Sequence, residues 1–570
     1  MKPFVLKIGG EAGYGIMSAG LVVAKIASRS GYYTFDYSEY PSLVRGGHNV
    51  MQVAISEGPV LAPYMHTDFL VALNQDTLHQ HQHEVIGGGS ILFDSAMNMS
   101  VKNVAKGVHI FDVPIHEIAT RVGGSLIMKN TAALGAVLSI LGGSIDDLCK
   151  MIKEEFRDKH ESVSKRNIAV ARAAYQYVQE RHFDKLDPFL KQKRVRKEKI
   201  VVTANEAIAL GSIAAGMQFA AIYPMTPTSA ILHTLAPHQE KFGYIYKQPE
   251  DEISALNMAI GASFAGVRSL VATSGGGFCL MTEAYGLAGI TETPVVIIEG
   301  MRGAPATGLP TWTEQGDLLF TLYAHQGDFP RIILAPGDVE ESFHMTMQAF
   351  NLAEKYQTPV LLLVDKHICE SHMSVEPFEY KKYSIERGNF VKTKRVNYKR
   401  YAVTASGISP RSIPGVGNHF VVNSDEHDEV GYSEESSENR IEQMNKRMRK
   451  LLTCEKEDME KPRVYGSTKA DITIISWGSN KGAILEALQH CKNVNFVHVT
   501  WMNPFPTRAL NNILKKAKKV LLVECNYSGQ FGKLLKEKTG FTPHDTLLKY
   551  DGRPIFPEEI IQKIQSLLDS

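Results

Sequence analysis

Strands that run into glycine turns and then into helices recur along this chain, and that rhythm restricts its fold more than any other feature. Phe4–Ile8 runs into Gly9-Gly10-Glu-Ala-Gly13-Tyr-Gly15 and then a helical pattern at Ser18–Ser30. Ser269–Ala272 runs into Thr273-Ser274-Gly275-Gly276-Gly277, read as a second glycine turn. Strands that alternate with helices pair in parallel, because each helix carries the chain back over the sheet. The fold class expected is therefore α/β, with three α/β domains built on mainly parallel sheets.

Three blocks carry the rhythm. The first spans residues 1–185, with strands Phe4–Ile8, Asp68–Leu73 and Ser90–Phe93 and helices at Ser18–Ser30, Ala132–Leu141 and His160–Arg181. A basic stretch around Lys191–Lys199 makes residues 186–199 a solvated linker. The second block, 200–377, has strands Phe219–Tyr223, Ser269–Ala272, Val295–Glu299, Arg331–Ala335 and Pro359–Val364. Residues 378–465 read as a long irregular connection, a feature usually tied to function or to a neighbour. The third block, 466–570, has strands Ile472–Ser476, Val494–His498 and Val520–Glu524, with helices near Lys481–His490 and Phe531–Lys538.

Composition excludes several function classes. Lys and Arg number 62 against 61 Asp and Glu, so no basic field invites nucleic acid. No apolar run reaches the ~18 residues that would span a bilayer, and the start reads as a strand rather than a signal peptide. A cytoplasmic protein is expected. The six cysteines form no CxxC pair, so neither an iron–sulfur cluster nor a structural zinc is expected in this chain.

Several turns carry residues suited to ligands. Gly13 and Gly15 let backbone N–H groups approach an anion at a helix start; the plain alternative is a tight turn. Arg45, in Arg45-Gly46-Gly47-His48, could clamp phosphate or carboxylate, or be a solvated surface residue. His79, His81 and His83 alternate, which suits a polar surface turn better than a metal site. Tyr223-Pro224-Met-Thr226-Pro-Thr228-Ser229 presents Thr226 between two stiffening prolines, with Thr228 or Ser229 available as an N-cap. Glu250-Asp251-Glu252 precedes a helix, where acids commonly complement the dipole. Arg302, in Glu299-Gly-Met-Arg302-Gly303, emerges at the carboxyl end of a strand, where parallel sheets hold ligands.

Taken in order, Tyr-Pro-Met-Thr-Pro, Glu-Asp-Glu-Ile-Ser-Ala, Thr-Ser-Gly-Gly-Gly-Phe-Cys-Leu-Met-Thr-Glu and Met-Arg-Gly-Ala-Pro-Ala-Thr-Gly-Leu-Pro-Thr resemble the alpha subunit of 2-oxoacid:ferredoxin oxidoreductases. Gly-Gly-Glu-Ala-Gly-Tyr-Gly and Tyr-Pro-Ser-Leu-Val-Arg-Gly-Gly-His-Asn resemble the gamma domain fused to some of them, as in 2-oxoglutarate:ferredoxin oxidoreductases. Gly407-Ile-Ser-Pro-Arg411, Asp425-Glu-His-Asp-Glu429 and Glu524-Cys-Asn-Tyr-Ser-Gly-Gln530 continue the likeness. Gly276 departs from it, since the family usually has Pro there; a softer loop is expected.

The resemblance implies an N-terminal gamma-type domain associated with CoA through Gly13, Gly15 and Arg45. It implies a thiamine diphosphate pyrimidine-binding domain and a transketolase-like C-terminal domain. It puts Glu252 on the pyrimidine N1′, with Glu250 in reserve. Tyr223, Pro224 and Thr226 should lie near the cofactor, Thr226 also near the substrate. Arg302 and Thr311 should bind the substrate carboxylate.

No Gly-Asp-Gly is present to hold a pyrophosphate and Mg2+. That absence and the cysteine spacing imply a beta subunit carrying Mg2+ and a [4Fe-4S] cluster, with an (αβ)2 assembly and ferredoxin as acceptor. The reaction implied is reversible, CoA-dependent decarboxylation of a 2-oxoacid. 2-Oxoglutarate, giving succinyl-CoA, is favoured over pyruvate or a branched acid. The rivals are a scaffolding subunit, which would not need the carboxylate, arginine and threonine set, and a self-sufficient transketolase-type enzyme, which would need Gly-Asp-Gly.

Overall fold

The computed structural model describes residues 2–43, 46–157, 159–181, 189–190, 198–381 and 383–569. Arg45 and most of the basic linker lie outside the described residues. The chain divides into two compact units. One comprises Met1–Val202, Ser371–Pro377 and Phe556–Glu559, and the other the remainder.

The first unit is built on an eight-stranded sheet. His109–Asp112, Val85–Phe93, Thr67–Ala72 and Phe4–Glu11 follow one another in parallel. His48–Ser56, Tyr33–Glu39, Met373–Val375 and Ile200–Val202 continue the sheet antiparallel. The helices Ile16–Arg29, Lys129–Leu141 and Glu161–Glu180 lie where the sequence put them.

Two strands of the antiparallel half, Tyr33–Glu39 and His48–Ser56, were not legible because polar residues are buried in them. Thr34, Asp36, Ser38 and Gln52 are all buried, which erases the apolar–polar alternation of a half-buried strand. Hydrogen bonds make that burial tolerable. Asp36 accepts from the His372 N–H at 2.7 Å and Gln52 from that of Tyr64 at 2.9 Å.

The second unit holds two sheets. The larger has seven strands in the order Trp501–Asn503, Ile332–Leu334, Pro359–Asp365, Val295–Met301, Ser269–Ser274, Phe219–Ala221 and Ile245–Lys247. All pair in parallel except Trp501–Asn503. The smaller has Arg463–Gly466, Val494–Val499, Ile472–Trp477, Lys519–Glu524 and Asp545–Leu548, parallel except for Arg463–Gly466. Apolar side chains from the two sheets and their helices share one core, including Val271, Ile297, Leu361, Ile475, Val497 and Leu522.

Three sequence expectations change here. The connection after residue 377 contains a long helix, Ser437–Glu457. Its buried face is Gln443, Lys446, Arg447, Lys450 and Cys454, a helical stripe made mostly of cations. An apolar pattern is therefore absent, and the segment reads as irregular. Gly275-Gly276-Gly277 is not a turn but the first turn of the helix Gly275–Ile290, with Ser274 at its N-cap. Gly276 faces open space, so the site where the family has Pro is no strained loop. The run of alternating histidines is on the surface at His79 and His83, as expected, but it is helical rather than a turn. His81 ends the helix Gln75–His81 and is buried, with its ring nitrogens 2.9 Å from His48 Nε2 and from Glu84 Oε1.

Among the described residues no helix is long and apolar enough to cross a membrane.

Candidate functional site

Four neighbouring parallel strands of the larger sheet end together, and a loop or helix start leaves each end. Ile245–Lys247 leads into the helix Glu252–Phe264, and Phe219–Ala221 into the loop carrying Thr226. Ser269–Ser274 leads into the glycine helix, and Val295–Met301 into the loop carrying Arg302. Ligands of open parallel sheets bind at such carboxyl ends.

Glu252 is the first residue of its helix and is 3% exposed. Asp251 already caps that helix, accepting from the Ser254 N–H at 2.7 Å. Glu252 is thus free of the usual capping duty and turns inward. Its Oε1 is buried and has no hydrogen-bond partner among the described residues. A Cβ on Gly277 would stand 2.5 Å from that oxygen and 2.1 Å from Thr273 Oγ1, so glycine is required for this approach. Glu250 is exposed and accepts from Ser254 Oγ at 2.7 Å.

Arg302 and Thr226 are brought together: the Arg302 guanidinium donates to the Thr226 carbonyl at 2.8 Å. Pro227 and Thr228 rest on Gly300, where any Cβ would meet Thr228 Cγ2 at 2.6 Å. Thr228 is the N-cap of the helix Ser229–Leu235, but its hydroxyl donates to the Met225 carbonyl instead. Tyr223 is half-buried and Pro224 exposed on the same loop, and Thr311 is buried. The loop after Arg302 closes on itself, with the Leu309 N–H donating to Gly303 O at 2.8 Å.

Two carboxyl groups beside Arg302 escaped the sequence reading. Glu299 is fully buried, and neither oxygen has a hydrogen-bond partner among the described residues. Burial, and then the nearby Asp317, push its carboxyl well above the ordinary range. Asp317 packs against the glycine helix, where a Cβ on Gly275 would lie 2.5 Å from its Oδ2; burial raises its carboxyl too. The one signal in the sequence was a glutamate inside the apolar strand Val295–Met301. Burial pulls the Arg302 guanidinium down, opposed by Asp317 and Glu299.

The first unit has its own cluster. Its first strand runs to Glu11, so the turn proper is shorter than Gly9–Gly15. Gly13 and Gly15 have φ of 93° and 68°, and Gly15 is the N-cap of Ile16–Arg29. A Cβ on Gly15 would lie 2.5 Å from Asn130 Nδ2. Lys129, 5% exposed, places its ammonium 5.0 Å from the Tyr14 ring centroid and makes no ion pair among the described residues. Burial lowers its pKa. Neither Lys129 nor Asn130 was singled out in the sequence, because nothing near them marks a turn.

A family model described as "Pyruvate flavodoxin/ferredoxin oxidoreductase, thiamine diP-bdg" matches residues 210–446, which include all four strand ends. A second, "Pyruvate ferredoxin/flavodoxin oxidoreductase", matches residues 5–177. The 2-oxoacid:ferredoxin oxidoreductase subunit alpha of Saccharolobus solfataricus is 34% identical over 98% of this chain and 97% of its own. The chain belongs to the alpha subunits of the 2-oxoacid:ferredoxin oxidoreductases. This alpha subunit is also similar to the 2-oxoglutarate synthase subunit KorA of Methanothermobacter marburgensis, 32% identical over 65% of this chain and 99% of that protein. Among solved structures it is similar to the 2-oxoglutarate:ferredoxin oxidoreductase from Magnetococcus marinus with 2-oxoglutarate, coenzyme A and succinyl-CoA bound. The TM-score is 0.92, at 30% identity over 99% of each chain. The alpha subunit is thus part of an oxidoreductase, and its strand ends lie in a thiamine diphosphate-binding domain.

Proposed function

We propose that this alpha subunit joins a beta subunit to oxidise 2-oxoglutarate with CoA, giving succinyl-CoA, CO2 and reduced ferredoxin, in a reversible reaction. The observation that carries this is Glu252: a buried carboxylate with an unpartnered oxygen, held against the glycine helix and near the strand end that presents Arg302. A buried acceptor left open in a folded chain asks for a donor from outside it. The protonated N1′ of a pyrimidine supplies one, so Glu252 fits the pyrimidine half of thiamine diphosphate, and exposed Glu250 does not.

Thiamine diphosphate, when bound, supplies the nucleophilic carbon and the electron sink. Glu252 holds the proton at N1′. Arg302 pairs with the substrate carboxylate in the two-point geometry of a guanidinium, steadied by its bond to the Thr226 carbonyl. Tyr223, Pro224 and Thr226 form the loop beside the cofactor, and Thr311 lies on the closed loop with Arg302. A scaffolding subunit would need no such set.

The beta subunit would bring the pyrophosphate site, Mg2+ and a [4Fe-4S] cluster. Exposed Ile253 and Met258 on Glu252–Phe264, and Leu280 on Gly275–Ile290, are apolar side chains such a partner would cover. In the first unit, Gly13, Gly15, Lys129 and Asn130, with Arg45, suit the phosphates of CoA. Residues 1–185 would then be the gamma-type domain, 186–199 the linker and 200–377 the pyrimidine domain. Residues 378–465 would be the connection and 466–570 the transketolase-like domain. An (αβ)2 assembly in the cytoplasm completes the proposal. The preference for 2-oxoglutarate is supported by what the Methanothermobacter and Magnetococcus proteins are named for.

The test is ferredoxin reduction by the co-purified native complex with 2-oxoglutarate, pyruvate and a branched 2-oxoacid. The highest kcat/KM is expected for 2-oxoglutarate. A higher value for pyruvate would overturn the substrate, and no turnover with any of them the function.

A further inference from the structure

The loop from Arg302 to Asp317 has its first half closed by the contact of Gly303 with Leu309. Its second half is held from the smaller sheet. Gln315 is fully buried, and its N–H donates to the Cys525 carbonyl at 2.6 Å while the Cys525 N–H donates to Gln315 Oε1 at 3.1 Å. Asn526 Nδ2 donates to the Gln315 carbonyl at 2.9 Å. Gln530 Nε2 donates to the Gly316 carbonyl, and Gln530 Oε1 accepts from the Leu319 N–H at 2.9 Å. Behind these, fully buried Glu524 uses Oε1 to accept from Asn526 Nδ2 at 2.7 Å and from the Phe531 N–H at 2.8 Å.

The polar side chains of Glu524-Cys-Asn-Tyr-Ser-Gly-Gln530 therefore work as one device. Glu524 orients Asn526, and the Asn526 Oδ1 accepts from the N–H groups of Gly529 and Gln530 at 2.8 and 3.3 Å. Both side-chain bonds of Gln530 go to the backbone around Asp317 and none to its own sheet.

We propose that Glu524, Asn526 and Gln530 are positioning residues for the substrate loop, fixing the backbone at Gln315 and Gly316 and so the stations of Arg302 and Asp317. This rests on the reading of Arg302 as the ligand of the substrate carboxylate. A guanidinium moved from its station loses the two-point pairing with a carboxylate, so a hold at the loop's far end matters to recognition at its near end.

The test uses the assembled complex with wild-type chain, Gln530→Ala, Gln530→Glu and Arg302→Ala. Gln530→Glu keeps the acceptor for the Leu319 N–H and removes the donor to Gly316, with shape preserved. It carries the test if Gln530→Ala fails to fold. Two quantities are read: amide hydrogen exchange of residues 302–317, and KM against kcat for 2-oxoglutarate. In Gln530→Ala, exchange of that segment should rise about tenfold, as for loss of one buried hydrogen bond. KM should rise by a similar factor with kcat little changed, and Gln530→Glu, which sets a carboxylate oxygen against the Gly316 carbonyl, should raise both at least as much. Exchange that rises evenly over the chain, or kcat that falls at constant KM, would make Gln530 merely structural and overturn the inference. A raised KM in Arg302→Ala with normal KM in both Gln530 variants would also overturn it, leaving the substrate reading intact. An unchanged KM in Arg302→Ala would overturn the substrate reading and the inference with it.

Discussion

Arg302 follows the strand Val295–Met301 directly, and Glu299 lies buried within it. Arg302→Ala removes one charged partner from a half-buried site, a loss of about 2–5 kcal/mol where such a pair is desolvated. KM for the 2-oxoacid should rise accordingly, while thiamine diphosphate affinity, by titration, stays near wild type; equal loss of both would make Arg302 structural. Burial, and then the nearby Asp317, push the Glu299 carboxyl well above its ordinary range. Its folded pKa lies above the ordinary 4.5 of the unfolded chain, so the folded state binds the extra proton. Stability from this group is fully present below pH 4.5 and falls as pH rises through the raised value, by about 1.4 kcal/mol per unit inside that window. Glu299→Gln mimics the neutral acid. Urea unfolding as a function of pH should show the variant losing less stability than wild type as pH rises from 4.5; parallel curves would mean that Glu299 is ionised. Arg302 was legible because its place after a buried strand is a local feature. The behaviour of Glu299 was not, because it depends first on full burial and then on Asp317, neither of which is a local feature.

The helix Ser437–Glu457 shows at the scale of one element what a sequence pattern can hide. Lys446 and Lys450, both fully buried, share the carboxylate of Glu292. Lys446 also donates to the Tyr401 carbonyl and Ser409 Oγ, and Lys450 to the Gln357 carbonyl at 2.9 Å. Burial pushes Lys450 down to about 7, with the neighbouring Lys446 adding to it against the pull of Glu292. Removing one partner of a buried pair costs about 3–5 kcal/mol. Lys446→Met should approach that figure in urea unfolding. Lys450→Met should cost clearly less, because Lys446 makes two further hydrogen bonds, to the Tyr401 carbonyl and Ser409 Oγ, and Lys450 only the one to the Gln357 carbonyl among the described residues. Equal costs would contradict this division. The strands and helices with apolar periodicity appeared within a few residues of where the sequence put them, as with Val295–Met301 and Ile472–Trp477. The elements that were missed are held by buried polar groups, whose partners lie far away in the chain: Asp36 with His372, Lys446 with Glu292.

As a whole molecule, this alpha subunit is proposed to supply half of a catalytic site. The purified chain alone should be colourless and should not reduce ferredoxin, because its cysteine spacing offers no cluster site and no Gly-Asp-Gly is present. Iron-dependent visible absorbance in the single chain would contradict that. The central claim is that Glu252 activates the cofactor from this chain's side of the assembly. Had Glu252 only complemented a helix dipole, its replacement would cost ~0.3–1 kcal/mol of stability and leave turnover alone. As the group that holds the N1′ proton, it cannot be replaced by an amide, although Gln preserves the shape. Loss of a positioned proton-transfer group typically slows its step by ~100- to 10,000-fold. The direct measurement is hydrogen–deuterium exchange at C2 of thiamine diphosphate bound to the assembled complex, wild type against Glu252→Gln. The account predicts exchange slowed by at least about a hundredfold with assembly intact; exchange at the wild-type rate would contradict it.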